Sequence, residues 1–510
     1  MKILSAAQIR EADKYTIEHE PIASIDLMER AAGACFKWIA ARFSFESRFS
    51  VFCGTGNNGG DGLAIARMLH ASGYEVKVFI ITAGKKVSDD FAANEKKLRS
   101  HKKIPVSNVN SLQDIEEIQP HEIIIDAMFG TGLSKPVTGI CAEVIHKINA
   151  SNAKVIAIDM PSGLFADESS LSKDNAVIKA TCTLSFQRAK LAFFFAENAE
   201  FTGEIVILSI GLNEKFISNL QSNYSVIEES EIRKILIKRK PFSHKGDYGH
   251  AGVVAGSYGK MGAAVLATRA CIRSGAGLTT AIIPACGYEI MQIASPEAMC
   301  LTPSIAENEN PMIISASFNT DIYDAMGTGP GIGKSKDAAK AIAKILQHFK
   351  KPLVLDADAL NIISDNKELL KLLPPQTILT PHPKEFERLA GESANQFERN
   401  KKQIEFSKNH NVIIILKGKY SCISTPEGKC FFNPTGNPGM AKGGSGDVLT
   451  GIITGLLAQK YSPSEAAIAG TFIHGLAGDM AEKKKGSYSV TASDIVFYLS
   501  RAIGYLLLAD

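Results

Sequence analysis

Short apolar runs recur along the chain, and each is followed by a glycine-rich turn and then by a helical pattern. This alternation is typical of βαβ units that build a parallel sheet. The predicted strands of the first half are residues 50–53, 76–81, 122–129, 154–159 and 204–210. Those of the second half are residues 252–256, 278–284, 352–358, 377–381 and 411–418. The pattern therefore predicts two α/β domains.

Residues 211–250 lose the strand pattern and gather five lysines and arginines between positions 234 and 245. We interpret these charges as a solvated linker and helix face. The predicted boundary lies near residue 225, which gives domains of residues 1–225 and 226–510.

The composition and net charge of the chain indicate what kind of molecule it binds. The chain has 510 residues, of which 45% are hydrophobic and 21% are charged, as in ordinary globular proteins. A net charge of +3 and a single tryptophan argue against a nucleic-acid groove and against binding to a membrane surface. We expect a small-molecule partner, no nucleic acid and no membrane.

The N-terminus and the cysteines indicate a cytoplasmic protein. Charged residues interrupt the N-terminal stretch before it reaches the length of a signal peptide, and no window is long and apolar enough to span a membrane. The nine cysteines are scattered and include no CxxC pair. We expect them to be reduced thiols in the core.

The first predicted strand runs into a glycine-rich turn, Gly54 to Gly62, and then into a helix. Glycines at such a turn let the backbone approach an anion, and the helix N-terminus favours phosphate. The next strand ends in Thr82 rather than in an acid that could hold a ribose, so an ordinary dinucleotide dehydrogenase is disfavoured. Asn57, Asn58 and Asp61 either contact a ligand or a hard cation, or form a plain turn.

Two further strands of the first half end in acids. Asp126 precedes the loop 130–136, and Asp159 precedes Pro161-Ser162-Gly163. Ligands bind at the carboxyl ends of parallel strands, although each acid alone could equally be a helix cap. Asn58, Asp126 and Ser162 offer oxygen ligands for a monovalent or hard divalent cation rather than for zinc.

The second half carries its densest signal at NPGMAKGGSGD, residues 437–447, which precedes an apolar helix. Free N–H groups at this helix start can stabilise a transferred phosphoryl group, and Asp447 can accept the proton of the attacking hydroxyl. The helix dipole should favour the ionised form of Asp447. The alternative is an ordinary first-turn acid. No Walker motif occurs, and we interpret the glycines at 327–331 as a site of close ligand approach.

The segments CGTGNNGGDG, DAMFGTGL, AIDMPSGL and TCTLSFQRAK occur in the order found in the NAD(P)HX epimerase domain, which the first half resembles. The resemblance implies a Rossmann-like three-layer sandwich, a hydrated NADH or NADPH substrate whose C6 configuration is scrambled, and a potassium ion. It leaves open whether Asp159 or a water-mediated route performs the catalytic step. Phe165 departs from the family pattern, in which an acid commonly follows PSGL. Carried over by position, the substrate contacts are Asn57, Asn58, Gly59, Gly60, Asp61, Gly130, Thr131, Gly132, Leu133, Ser134, Lys135, Pro136 and Asp159, and the potassium ligands are Asn58, Asp126 and Ser162.

The segments HKGDYGH, GSYGKMGAAVLA, GTGPGIG, LDADALN, LTPHPKEF and NPGMAKGGSGD resemble the ribokinase-like fold and, more narrowly, the NAD(P)HX dehydratase domain. The resemblance implies that ADP, with Mg²⁺, phosphorylates the C6 hydroxyl of the S epimer and that loss of phosphate restores NAD(P)H; ATP replaces ADP in eukaryotic members. A homo-oligomer is also a family expectation. Lys442 stands where a small hydroxyl residue is common. The implied substrate contacts are Ala263, Gly331, His382 and the catalytic Asp447, and the nucleotide contacts are Lys417, Gly418, Lys419, Tyr420, Ser421 and Gly446.

The preferred interpretation is a bifunctional enzyme in which one domain equalises the epimers and the other consumes one of them. One alternative is a ribokinase-like small-molecule kinase fused to a non-catalytic nucleotide-binding domain. Another is a scaffold whose first domain has lost its chemistry. The glycine loops do not distinguish an ADP-dependent from an ATP-dependent enzyme, and the sequence does not indicate the oligomeric state. The choice of ADP rests on the fused arrangement of the two domains.

Overall fold

A computed structural model describes residues 1–82, 87–101, 103–171, 175–302 and 319–508. Its contacts divide the chain into two compact units. The first unit comprises residues 2–222 and 395–397, and the second comprises Met1 and residues 223–394 and 398–510. The division at residues 222 and 223 lies beside the predicted boundary.

The first unit contains one sheet of seven strands. Its strands are β1 (Arg48–Cys53), β2 (Glu75–Ile81), β3 (Val106–Val109), β4 (Ile123–Ala127), β5 (Lys154–Ile158), β6 (Cys182–Phe186) and β7 (Glu204–Leu208). Its helices are α1 (Ala6–His19), α2 (Ser24–Ala40), α3 (Asn57–Ala71), α4 (Asp89–Ser100), α5 (Gly139–Ala150), α6 (Ala199–Thr202) and α7 (Glu214–Asn219).

The strands of this sheet are parallel and lie in the order β3-β2-β1-β4-β5-β6-β7. The order reverses between β1 and β4, so a crevice opens at their carboxyl ends, where α/β sheets bind ligands. Apolar side chains of β1 and β4 are buried on both faces of the sheet, in one core with α2, α3 and α4 and in another with α5. The first unit is therefore the predicted Rossmann-like three-layer sandwich.

The second unit contains one sheet of ten strands. Its strands are β8 (Tyr224–Val226), β9 (His250–Val254), β10 (Leu278–Ile282), β11 (Met299–Leu301), β12 (Ala325–Thr328), β13 (Leu353–Leu355), β14 (Ile378–Leu379), β15 (Ile413–Leu416), β16 (Cys422–Ser424) and β17 (Cys430–Phe432). Its helices are α8 (Glu229–Ile235), α9 (Met261–Arg273), α10 (Tyr288–Ala294), α11 (Lys336–His348), α12 (Ala357–Asp365), α13 (Pro383–Ala390), α14 (Gln396–His410), α15 (Ser445–Ala458), α16 (Pro463–Lys485) and α17 (Ala492–Leu508).

This sheet follows the order β11-β10-β9-β12-β13-β14-β15-β16-β17-β8. It is parallel from β11 to β15, and β16 pairs antiparallel with both β15 and β17. Helices α9, α15, α16 and α17 share a core on one face, and α11 to α14 share a core on the other. The predicted α/β class is confirmed for both units.

Several predictions of local structure are wrong. Residues 211–250 are not free of strands, because β8 lies there and pairs with β17. Cys286 is exposed and Cys300 is partly exposed, so these two are not core thiols; the other seven cysteines are buried and all nine are free. In the part of the chain that the structure describes, no helix has the length and apolar character that crossing a membrane requires.

Candidate functional site

A cavity of about 820 Å³ lies in the first unit at the carboxyl ends of β1 and β4. Most of the predicted substrate contacts line it: Asn57, Asn58, Asp61, all seven residues from Gly130 to Pro136, and Asp159. The sequence motifs that end three different strands therefore meet in one site.

Gly59 and Gly60, also predicted as substrate contacts, do not line this cavity. A Cβ atom on Gly59 would lie 1.8 Å from the carbonyl oxygen of Gly54, and one on Gly60 would lie 2.7 Å from the sulfur of Met28. These two glycines allow α3 to pack closely against its surroundings. A Cβ on Gly56 or Gly132 would meet nothing within 4 Å, so open space for a ligand exists at those two positions.

Asp159 is held in a fixed, ionised state. It adopts φ 63°, a left-handed conformation that costs energy for a residue with a side chain. Its Oδ1 lies 2.8 Å from Nζ of the fully buried Lys190, and its Oδ2 accepts a 3.1 Å hydrogen bond from the Thr131 N–H. Burial opposes ionisation, but Lys190 and the hydrogen bonds outweigh it and lower the pKa of Asp159.

Two other carboxyl groups line the same cavity, and their pKa values are raised rather than lowered. Burial and the nearby Asp159 raise the pKa of Asp13 to about 6, although Lys190 opposes the shift. Burial, Asp159, Asp13 and Asp90 raise the pKa of Asp61 well above its usual range. One cavity thus combines a stably ionised carboxylate with carboxyl groups that retain protons more strongly.

Sequence reasoning missed three residues of this site. Lys190 closes the segment TCTLSFQRAK, whose resemblance was noted without a role for the lysine. Arg10 and Asp13 lie on α1 and reach the cavity, although no motif marked that helix. The only signal in the sequence was their spacing of three residues, which places both on one side of a helix.

Of the three predicted potassium ligands, Asp126 and Ser162 are hydrogen-bonded to each other, whereas the side chain of Asn58 is not hydrogen-bonded to any described residue. Ser162 Oγ donates a 2.6 Å hydrogen bond to Asp126 Oδ1, and the Ser162 N–H donates a 2.7 Å bond to Oδ2. Burial raises the pKa of Asp126 to about 6, against the effect of these bonds and of the one from Met128 N–H. Among the described residues, both polar atoms of the Asn58 side chain are buried without a hydrogen-bond partner. An orphaned amide and a buried carboxyl–hydroxyl pair are the kinds of oxygen donor that a cation takes.

The donor set suits a monovalent ion. Asp126 supplies one charge, whereas Asn58 and Ser162 supply neutral oxygens. Among the described residues, no group of three or more histidine, cysteine, aspartate or glutamate side chains could hold a metal ion. Phe165, the departure from the family pattern, is 7% exposed and its N–H bonds to Ser170 Oγ, so the loop after Ser162 is packed rather than disturbed.

The candidate site of the second unit lies at the start of α15. Gly444 precedes the helix with φ 94°, a conformation that favours glycine, and Asp447 falls in the first turn. A Cβ on Gly446 would lie 3.3 Å from Lys417 Nζ, and that amino group forms a 2.8 Å ion pair with the buried Asp356. Asp356 also accepts a 2.9 Å hydrogen bond from Thr450 Oγ1. The structure therefore brings Lys417, Gly446 and Asp447 together, and their role in a phosphoryl site stays a prediction.

The helix dipole was expected to favour the ionised form of Asp447, and other effects outweigh it. Burial raises the pKa of Asp447 to about 7, with Asp356 and Asp358 adding to the shift and Lys417 opposing it. Desolvation outweighs the dipole because the carboxyl group sits on a mostly buried helix start beside a second, fully buried carboxylate. A base near neutrality is better matched to proton transfer than a strongly acidic one.

His382 and the glycines at 327–331 have structural roles of their own. His382 caps α13, and its Nδ1 accepts a 3.2 Å hydrogen bond from the Lys384 N–H. A Cβ on Gly327 would lie 2.1 Å from Thr454 Oγ1, and one on Gly329 would lie 1.8 Å from the Asp356 carbonyl oxygen. Close internal packing, rather than ligand approach, thus explains these two glycines.

The remaining predicted contacts lie on loops and helix starts around the second sheet. Ala263 is in the first turn of α9, and a Cβ on Gly331 would lie 3.1 Å from its side chain. Gly418 donates a 3.3 Å hydrogen bond from its N–H to Ser421 Oγ within the predicted nucleotide loop. Lys442 donates a 2.5 Å bond to the Tyr488 carbonyl, so its ammonium is engaged away from the loop backbone.

Helix α16 holds the loop 433–445, a feature that sequence reasoning missed. Asp479 accepts a 3.0 Å hydrogen bond from the Gly436 N–H and a 2.9 Å bond from Asn437 Nδ2. The partly buried His474 bonds to the Ser445 backbone, and desolvation lowers its pKa to about 4, so its ring is neutral at pH 7. These contacts fix the glycine-rich loop before α15 begins.

Comparison with known proteins matches both units. The family described as NAD(P)H-hydrate dehydratase matches residues 251–501, and the family described as YjeF-related protein N-terminus matches residues 24–192. The bifunctional NAD(P)H-hydrate repair enzyme Nnr of Moorella thermoacetica is 34% identical over 98% of this chain and 96% of its own length. The chain belongs to the bifunctional NAD(P)H-hydrate repair enzymes. The motif-based resemblance is thereby confirmed over nearly the whole sequence.

One further member and one solved structure are also similar to this chain. The repair enzyme Nnr of Coxiella burnetii is 34% identical over 96% of this chain and 97% of its own. The crystal structure of ADP/ATP-dependent NAD(P)H-hydrate dehydratase from Bacillus subtilis with ATP/Mg²⁺ is 30% identical, covers 55% of this chain and 97% of its own, and has a TM-score of 0.47. The repair-enzyme relatives extend over both units of this chain, so its two-part organisation is that of the family.

Proposed function

We propose that the first unit epimerises hydrated NADH and NADPH and that the second unit dehydrates the S epimer at the expense of ADP, giving NAD(P)H, AMP and phosphate. The observation that carries this proposal is the presence of two chemically different sites in one family member. The first unit has carboxyl groups of opposed protonation around a cavity. The second has a base of pKa about 7 at a glycine-rich helix start.

In the first unit, backbone groups of the loop 130–136 and the N-terminus of α3 bind the dinucleotide. Asn57, Asn58 and Asp61 contact its polar groups. The orphaned Asn58 amide, Asp126 and Ser162 would hold a potassium ion, which supplies fixed positive charge beside the anionic substrate. Asp159, kept ionised by Lys190, then serves as the proton acceptor.

In the second unit, Asp447 accepts the proton of the C6 hydroxyl, whose oxygen attacks the β-phosphorus of ADP while AMP leaves. The C6–O bond then breaks with its electron pair on phosphate. The C5 proton passes to solvent water as the C5–C6 double bond of the dihydronicotinamide forms. The N–H groups that begin α15 at Ser445 and Gly446 stabilise charge on the transferred group.

Nucleotide recognition falls to the loop 417–421 and to Gly446, and substrate recognition to Ala263, Gly331 and His382. Mg²⁺ bound together with ADP would neutralise phosphate charge at this site. Association into a homo-oligomer is part of this proposal.

The experiment that tests the assignment compares substrates on the intact chain. Purified S epimer plus ADP should regenerate absorbance at 340 nm, and the same epimer without nucleotide should not. The kinase alternative predicts phosphorylation of a sugar or vitamin precursor with no gain at 340 nm. The scaffold alternative predicts no turnover of either epimer.

A further inference from the structure

Helix α1 supplies a carboxyl group to the cavity of the first unit. Asp13 lines that cavity together with Ile9 and Arg10. The helix precedes residues 24–192, the segment that the family match covers. Asp13 interacts electrostatically with Asp159 and Lys190, and Asp61 interacts with Asp13 in turn. A group outside the matched segment thus lines the cavity that holds Asp61 and Asp159.

A second observation is that Asp61 shares this cavity. Asp61 is 8% exposed and lines the cavity, and it interacts electrostatically with the acids Asp159, Asp13 and Asp90. Like charges in one site oppose the ionisation of one another. The carboxyl groups of Asp13, Asp61 and Asp159 therefore line one shared space into which a substrate can enter.

The charged groups that act on Asp13 are Asp61 on α3, Asp159 after β5 and Lys190 after β6. Arg10, on the same helix, lines the cavity but acts on Asp167, which also accepts a hydrogen bond from the Ala6 N–H. Glu214 on α7 is occupied in an ion pair with Arg188. Lys190 is committed to Asp159, with Nζ also bonded to Ser185 Oγ at 2.8 Å. No described cation forms an ion pair with Asp13 that would hold it ionised.

Inversion at C6 needs both an acid and a base, because the C6–O bond must break on one face and form on the other. Neighbouring carboxyl groups whose pKa values are pushed apart identify such a pair. Lys190 lowers the pKa of Asp159, whereas burial and Asp159 raise that of Asp13 to about 6. Burial, together with Asp159, Asp13 and Asp90, raises the pKa of Asp61 well above its usual range.

We propose that Asp13 is a catalytic residue of the epimerase, donating the proton with which the C6 hydroxyl leaves, while Asp159 accepts a proton from the water that returns. The C6–O bond breaks with its electron pair on the departing water, and the N1 lone pair forms a C6=N1 iminium. Water adds to the opposite face and gives a proton to Asp159. Transfer of that proton through water to Asp13 restores the starting state. This role rests on the proposed epimerase function.

The test uses the intact chain with the R epimer of hydrated NADH, ADP and a blank for spontaneous epimerisation. Dehydratase capacity, measured separately with the S epimer, must exceed the epimerisation rate so that absorbance at 340 nm reports epimerisation. Asp13→Asn should lower the epimerase kcat about 10²–10⁴-fold and change KM less than threefold. Asp13→Glu should restore part of the rate. Glu11→Gln, an exposed acid on the same helix outside the cavity, is the matched control and should change nothing.

The pH profile separates catalysis from a structural role. Because the donor must be protonated, the wild-type kcat/KM of epimerisation should fall as pH rises through about 6, and Asp13→Asn should lack this fall. An epimerase kcat within threefold of wild type, or a raised KM with kcat unchanged, would overturn the proposal. If Asp13→Asn also lost dehydratase activity, the variant would report a folding defect, and the test would rest on the pH dependence of wild-type epimerisation. A wild-type epimerase kcat/KM that does not change between pH 5 and 7 would then overturn the proposal. A wild-type chain that turned over S but not R would instead contradict the epimerase function itself.

Discussion

Replacing Asp447 by Asn should abolish dehydration while the chain remains folded. The substitution keeps the size of the side chain and removes the group placed to accept the C6 proton in the first turn of α15. Loss of a general base costs on the order of 10²–10⁴ in rate, which corresponds to roughly 2.7–5.4 kcal/mol of transition-state stabilisation. Folding should not suffer, because the change removes a half-buried carboxyl group whose ionisation burial already disfavours.

The pH dependence gives an independent measure of the same group. With a pKa of about 7, Asp447 is the active base only above that pH, so the dehydratase kcat/KM should fall about tenfold for each unit below 7. Asp358→Asn removes one of the charges that raise this pKa, and it should shift the midpoint to lower pH. The Gly333 N–H that bonds to Asp358 at 2.8 Å retains an acceptor in this variant.

The assay follows absorbance at 340 nm with purified S epimer and saturating ADP between pH 5.5 and 9. Epimerase activity of the same preparation is the control for folding. Dehydratase turnover of Asp447→Asn within threefold of wild type would refute the assignment of the base. A wild-type midpoint below pH 5 would show that desolvation does not control the ionisation of Asp447.

Three further predictions concern the first unit. Potassium, compared with lithium at constant ionic strength, should raise the thermal unfolding midpoint of the wild type, because bound ion at a hundredfold excess over Kd stabilises the folded state by about 2.7 kcal/mol. An unchanged midpoint in the wild type, or an equally large rise in Asp126→Asn, would contradict the cation site. Gly59→Ala should destabilise the first unit by roughly 1–3 kcal/mol in denaturant unfolding, because the added Cβ would lie 1.8 Å from the Gly54 carbonyl oxygen; Gly132→Ala, which meets nothing within 4 Å, is its control. Lys190→Met should cost about 3–5 kcal/mol by leaving Asp159 buried and unpaired, and a loss below 1 kcal/mol would show that the pair is not required.

The fold class and the meeting of the motifs could be predicted because both depend on local pattern. Parallel strands form apolar runs in the sequence, and their carboxyl ends share one edge of the sheet. The pattern therefore predicts that Asp126, at the end of β4, lies beside the Asp159–Ser162 segment that follows β5, and its hydrogen bonds to Ser162 agree. Strand β8 could not be found in this way. Its three residues have no apolar run of their own, and pairing with β17, about two hundred positions later, decides its conformation.

The protonation state of Asp447 and the contribution of α1 to the site could not be predicted from the sequence either. The dipole argument for Asp447 used only the first turn of α15, whereas its pKa is decided by burial and by Asp356, a distant residue in sequence. Asp13 belongs to an amphipathic helix without a motif, and only the folded chain shows that it faces Lys190 and Asp159. Glycines 327 and 329 likewise looked like ligand contacts until the packing partners Thr454 and Asp356 were known.

The most direct measurement starts from the pure R epimer of hydrated NADH with ADP and the intact chain. The account predicts complete recovery of absorbance at 340 nm, well above the spontaneous rate, with AMP and phosphate formed in equal amounts to NADH. Adding Asp447→Asn in place of wild type should leave the R and S epimers equilibrated but unconverted. Recovery of absorbance no faster than the spontaneous rate, or NADH formed without consumption of nucleotide, would contradict the assignment of epimerisation to the first site and of dehydration to the second.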